Sequence, residues 1–208
     1  MEREEKRARI IDAAVEVFAK KGFFGSKIAE IAGAAGVADG TIYLYFDSKD
    51  DLLISVFEEK MGWIVKRLQA LLAEIDDPEE QMRRYIGAHL ELAAAQPTLM
   101  QVLTVELRQS ARFIKEYAPK GFARYLAIIG HILEKGQEKG IFRRELDPAI
   151  FRRALFGAID ELALEWVLRG PDATKRDPKV VGEVFADFIL RGLRVDPRPS
   201  AMPSNDAT

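Results

Sequence analysis

The amino-acid sequence predicts an all-α protein of about nine helices, with short helices at the N-terminus and a larger body of long ones behind them. Three observations carry this reading. Apolar residues recur at helical spacing through nearly the whole chain, beginning with Ile10, Ala14, Val17 and Phe18. Asp77-Pro78, Asp147-Pro148 and Asp177-Pro178 each join a favoured N-cap acid to the ring that suits the first helical position. No stretch of useful length alternates polar with apolar residues as a half-buried strand would.

Taken in order, the first helical stripe ends at Lys21-Gly22, and Ser26 is placed to cap a second helix from Lys27 to Ala35, closed by Gly36. A third short helix is expected from Asp39 to Tyr45. Ser48-Lys49-Asp50-Asp51 opens a long fourth helix with an acidic first turn, which suits the helix dipole. Its apolar positions run Leu53, Phe57, Ile64, Leu68, Leu71 and Ile75. The Asp-Pro pairs start later helices, Pro97 and Pro119 mark further starts or breaks, and Gly140 closes the helix begun near Pro119. The expected organisation is a head over residues 1–47, a body over 48–195, and a disordered proline- and serine-rich tail over 196–208.

Composition narrows the function classes. The chain has 208 residues, is 48% hydrophobic and 31% charged, and so can bury a sizeable core while staying soluble. No apolar run approaches the ~18 residues a membrane span needs, and the mixed-charge N-terminus is unlike a signal peptide. The absence of cysteine removes disulfides, thiolate metal sites and thiol nucleophiles, and a cytoplasmic location is expected. The two histidines, His89 and His131, are far apart and read as surface or core-edge residues; no metal set is expected. No glycine-rich phosphate loop, His-Glu metal pair or Gly-x-Ser-x-Gly elbow occurs, and Asp160 and Glu161 are adjacent and point to different sides of a helix. The expectation is a protein that is not an enzyme and carries no cofactor.

The most informative stretch runs from Ser26 to Lys49. Ala32, Gly36 and Ile42 stand at helix-turn-helix spacing: the alanine allows a close crossing, the glycine a left-handed turn, and the isoleucine fills the gap. Ile28, Ile31, Ala35 and Val37 complete a small core with Val17 and Phe18. A plain helical hairpin would share that spacing. Tyr43, Tyr45 and Lys49 tilt the reading toward DNA, since all three can reach phosphates, while Phe46 anchors the head to the body. The head is not basic. Arg3, Lys6, Arg7, Arg9, Lys20, Lys21, Lys27 and Lys49 face nine acids through residue 50. Binding therefore has to rely on local contacts and helix N-termini, with a modest salt dependence.

The run from Lys27 to Leu52 resembles the signature of the TetR family of transcriptional regulators. The resemblance implies a nine-helix homodimer with a DNA-binding head and a helical sensor body. Carried over by position, it implies operator contacts from Ser26, Lys27, Asp39, Gly40, Thr41, Tyr43, Tyr45 and Lys49 to double-stranded DNA. Asp39 is ill suited to phosphate, and a helix cap is its preferred role.

In the body, Leu99, Met100, Leu103, Leu107 and Phe113 share one face if their segment is helical, and Ile128, Phe156, Ile159 and Trp166 can oppose them around a tunnel for an apolar ligand. The same residues also read as ordinary core. The helices from Pro148 and Pro178 carry apolar residues over too wide a face for one partner, so Phe151, Leu155, Ala158, Leu162, Phe185, Phe188 and Ile189 are candidates for a dimer interface.

Gly36 to Met61, Val105 to Ser110, and Phe156 to Glu161 with Trp166 further resemble the FadR type of TetR-family regulator of fatty-acid degradation. That likeness implies a long-chain acyl-CoA effector. Arg108, Arg112 and Lys115 are placed to hold its phosphates, with Arg83 and Arg84 as a second pair; each also reads as a solvated surface cation. Two alternatives stay open: an efflux regulator sensing lipophilic cations through Glu106, Glu161 and Trp166, and a helical interaction scaffold.

Overall fold

A computed structural model describes residues 2–106, 120–169 and 176–195. Leu107, Arg108, Arg112, Phe113 and Lys115, like the tail from residue 196, lie outside the described residues. Within them there are nine helices and no strands: α1 (Glu2–Gly25), α2 (Ile28–Ala35), α3 (Asp39–Ile42), α4 (Lys49–Leu72), α5 (Pro78–Ala95), α6 (Pro97–Thr104), α7 (Lys120–Glu138), α8 (Pro148–Arg169) and α9 (Pro178–Leu193).

The predicted punctuation is seen in place. Asp77, Asp147 and Asp177 each accept a hydrogen bond from the backbone N–H two residues on, at 3.1, 2.6 and 2.9 Å. Ser48 Oγ accepts from Asp51 N–H and caps α4. Gly36 adopts the left-handed conformation (φ 65°), and its N–H closes α2 on Ala32 and Gly33. Ala32 and Ile42 are fully enclosed, as the helix-turn-helix spacing requires.

Three local expectations are corrected. Ser26 does not cap α2: its hydroxyl donates to Phe23 O, while Lys27 takes the cap position and its N–H donates to the Glu30 carboxylate. Asp39 does not cap α3, because Ala38 holds that position and Asp39 is the first helical residue. The α3 helix stops at Ile42 rather than Tyr45, and Leu44, Tyr45 and Phe46 continue as a tight turn bonded to Thr41 and Ile42.

In the body, α5 is the central rod. Met82, Tyr85, Ile86, Leu90 and Ala93 are buried along it, and α4, α6, α7, α8 and α9 all pack around it. The crossing of α5 with α9 is tight: a Cβ on Gly182 would lie 3.2 Å from Gly87 Cα. Beyond α7, Phe142 lies over Gly136, and short backbone bonds tie residues 141–143 to the end of α9. Arg194 then clamps Glu79 through two hydrogen bonds of 2.7 and 2.6 Å.

Candidate functional site

The head presents α3 outward. Asp39, Gly40 and Tyr43 are exposed there together with Lys27, and Thr41 is half-buried. Leu44, at 72% exposure, sits beside them and was not singled out by sequence. Tyr45 is half-buried beneath the Arg3 guanidinium. Ser26 is buried, so it is withdrawn from the candidate contacts. Lys49 is half-buried and internally bound: its ammonium donates to Phe23 O (2.8 Å) and Ser26 O (3.0 Å) and lies 4.6 Å over the Phe23 ring. Those bonds fix the joint between α1, α2 and α4.

Head and body meet through α1. At Gly22 (φ 74°) the helix breaks, which frees two groups that a continuous helix would pair, Ala19 C=O and Phe23 N–H. Both are taken up by α6 and its C-terminal extension: Gln101 donates to Ala19 O at 3.0 Å, and the buried Glu106 carboxylate accepts from Phe23 N–H at 2.7 Å. Asp12 and Lys60 add an ion pair between α1 and α4.

In the body, a cavity of about 780 Å³ opens between α4, α5 and α9, within the range of small-molecule sites. Trp63, Ile64, Leu68, Leu71, Ala88 and Leu92 give it apolar walls. Arg67, Arg83, Arg84 and Lys179 bring positive charge to it, among Glu80, Glu91 and Glu183. Arg67 stacks on Trp63, and Arg84 pairs with Glu80 one turn away. His89 and Tyr125 form part of the wall, joined by a 2.6 Å hydrogen bond between Nδ1 and the phenol. Burial pushes the Tyr85 and Tyr125 phenols up and His89 down to about 4, so all three are neutral at pH 7.

Of the ligand residues expected from sequence, Leu99, Met100, Ile159 and Trp166 are buried, Ile128 lies at the edge of burial, and Leu103 is half-buried; α6 packs directly on α8. None lines the large cavity. Phe156 touches it at second hand, edge-on to the His89 and Tyr125 rings at 6.1 Å from each. Arg83 and Arg84 do line it. His89 is not the surface or core-edge residue expected from sequence; it is enclosed, whereas His131 is exposed. For cation sensing, Glu106 is spent on Phe23, Glu161 is exposed and Trp166 is buried. The outward faces of α8 and α9 are apolar: Ile150, Leu168, Val180, Val184 and Phe188 are all exposed. Phe188 belongs to the expected interface. Phe151, Ala158, Leu162, Phe185 and Ile189 are half-buried, and Leu155 is corrected to core, being enclosed in the body.

Residues 10–56 match the bacterial regulatory proteins of the tetR family, and residues 57–182 match the YsiA-like protein C-terminal region. The chain belongs to the TetR family. This TetR-family chain is 40% identical to the fatty acid metabolism regulator protein of Bacillus subtilis, over 90% of its own length and 95% of that protein. It superposes on the crystal structure of Bacillus subtilis FadR in complex with stearoyl-CoA with a TM-score of 0.81 at 37% identity, covering 89% of this chain and 98% of that one. Against the fatty acid degradation regulator FadR of Bacillus halodurans the TM-score is 0.82 at 39% identity, covering 91% and 96%. No helix among the described residues is long and apolar enough to cross a membrane.

Proposed function

We propose that this TetR-family protein is a cytoplasmic homodimeric repressor of fatty-acid-degradation genes, without enzymatic activity, released from operator DNA when a long-chain acyl-CoA fills the cavity between α4, α5 and α9. The cavity carries the reading. An acyl chain needs apolar walls, which Trp63, Ile64, Leu68, Leu71 and Leu92 offer, and the coenzyme phosphates need guanidinium groups, which Arg67, Arg83 and Arg84 offer. The likeness to regulators named for fatty acid metabolism, one of them bound to stearoyl-CoA, supports the same ligand class.

Operator recognition falls to the outward face of α3, through Asp39, Gly40, Thr41 and Tyr43, with Lys27 and Tyr45 at its flanks. Transmission runs through the corner between α5 and α6. Ala95 and Gln96 line the cavity, and α6 leads from that corner to the Gln101 and Glu106 bonds on α1. A ligand that displaces the corner therefore moves the head, and it biases the equilibrium only by its differential affinity for the two arrangements.

The test is operator release followed by fluorescence anisotropy. Palmitoyl-CoA should release labelled operator DNA where coenzyme A alone does not, and Arg83→Ala with Arg84→Ala should weaken that response about tenfold, the worth of one charge-assisted pair. Release by a lipophilic cation, with no response to palmitoyl-CoA, would transfer the cavity to drug sensing.

A further inference from the structure

One residue of the cavity wall carries a buried hydrogen-bonding group that nothing among the described residues satisfies. His89 is 6% exposed, and its Nε2 is shielded from water with no hydrogen-bond partner among the described residues. Its other nitrogen, Nδ1, is held 2.6 Å from the Tyr125 hydroxyl. Between a neutral imidazole and a neutral phenol the phenol is the better proton donor, so Tyr125 donates to Nδ1 and the ring proton resides on Nε2. A buried N–H with no acceptor is costly and uncommon, and at a cavity wall it marks a place where an acceptor from outside is wanted. Phe156 and Tyr125 hold the imidazole edge-on and at a tilt, and fix the ring in place.

We propose that His89 Nε2–H is the donor for the thioester carbonyl oxygen of the acyl-CoA, and so the residue that selects thioesters in this cavity. This rests on the reading of the cavity as an acyl-CoA site. The placement fits the ligand's chemical order. Arg83 and Arg84 are partly exposed on α5, and six residues, about 9 Å of helix rise, separate Arg83 from His89. Ala88, Leu92 and Leu68 line the same cavity with apolar surface. A neutral donor set between cations and an apolar wall suits the one neutral acceptor that joins the polar arm to the acyl chain. The shielding of Nε2 requires that the carbonyl be taken into the wall rather than left at the open side.

The experiment compares palmitoyl-CoA with S-hexadecyl-CoA, the thioether that lacks only the carbonyl oxygen, by calorimetric titration of the full chain. The unaltered protein should bind the thioester about tenfold more tightly, and His89→Phe should bind both at the weaker affinity. Equal affinities in the unaltered protein would overturn the role of His89 and leave the cavity reading standing. Failure of both ligands to bind would overturn the cavity reading itself. Should His89→Phe not fold, nitrogen-15 NMR of histidine-labelled unaltered protein gives the answer without it. Nε2 should be protonated in the free chain, and its proton should shift downfield with the thioester and not with the thioether. An unprotonated Nε2, or the same shift with both ligands, would overturn the assignment.

Discussion

Protonating His89 in the folded chain would place a charge beside the Tyr125 and Tyr85 phenols in an enclosed part of the body. Burial holds this imidazole down at about 4, against ~6.5 in an unfolded chain. Between those values the unfolded chain binds a proton that the native one refuses. The stability His89 contributes is therefore complete above about pH 6.5 and declines as pH falls toward 4. Neither phenol titrates in that window, because burial pushes both upward. Urea denaturation at pH 7 and pH 5 should show the unaltered protein losing about 2 kcal/mol more than His89→Phe over that interval. Equal losses in the two proteins would mean that the histidine is not held neutral. The same neutrality lets one ring nitrogen accept from Tyr125 while the other stays a donor.

At the scale of elements, the joint between α1 and α6 is where the body grips the head. The donor and acceptor freed by the break at Gly22 are capped by Glu106 and Gln101. Glu106→Ala leaves Phe23 N–H buried without its acceptor and should cost about 1–3 kcal/mol of stability. It should also reduce the factor by which palmitoyl-CoA weakens operator binding, while palmitoyl-CoA affinity in the absence of DNA changes little, because Glu106 does not line the large cavity. An unchanged coupling factor, measured by operator titrations with and without ligand, would remove this joint from the transmission path. Elements of this kind differ in how far sequence reveals them. The Asp-Pro caps, the Gly36 turn and the Ala32-Ile42 packing are local, and each was legible because a few neighbouring residues determine it. The cavity was not legible, because helical periodicity marks burial and does not distinguish a filled face from a hollow one. Leu99, Met100, Ile159 and Trp166 carry the same apolar signal as Leu68 and Leu92, yet α6 closes on α8 over the first set. The hollow beside the second set depends on where α9 crosses α5, at Gly87 and Gly182. Trp63 and Arg67, one turn apart on α4, carried the only local hint: an aromatic and a cation on a face that did not fit the buried stripe.

At the scale of the whole molecule, the proposed repression depends on the separation of two heads in a dimer. One head carries no excess of positive charge, and its proposed reading surface is a four-residue helix and its flanks, so a single chain has little with which to hold DNA. Two heads joined rigidly gain avidity, on the order of 10²- to 10⁴-fold, provided both can engage at once. For successive major grooves that means a spacing of about 34–36 Å. The surface available for pairing is the outer face of α9, where Val180, Val184 and Phe188 recur every fourth residue, with Ile150 and Leu168 exposed on α8. The opposite face of α9 is already occupied by α5, through Gly182, Ala186 and Leu190. Val184 and Phe188, at 67% and 70% exposure, are large apolar groups that a lone chain would leave in water. Val184→Glu with Phe188→Glu puts two like charges per chain into that face without touching the buried side of the helix. Sedimentation at micromolar concentration should show the unaltered protein as a dimer and the double variant as a monomer of about 23.4 kDa. Operator affinity should then fall by two orders of magnitude or more, while palmitoyl-CoA binding per chain persists, since neither residue lines the cavity. A variant that stays dimeric would move the interface elsewhere. A monomeric variant that still holds its operator would separate repression from the paired geometry altogether.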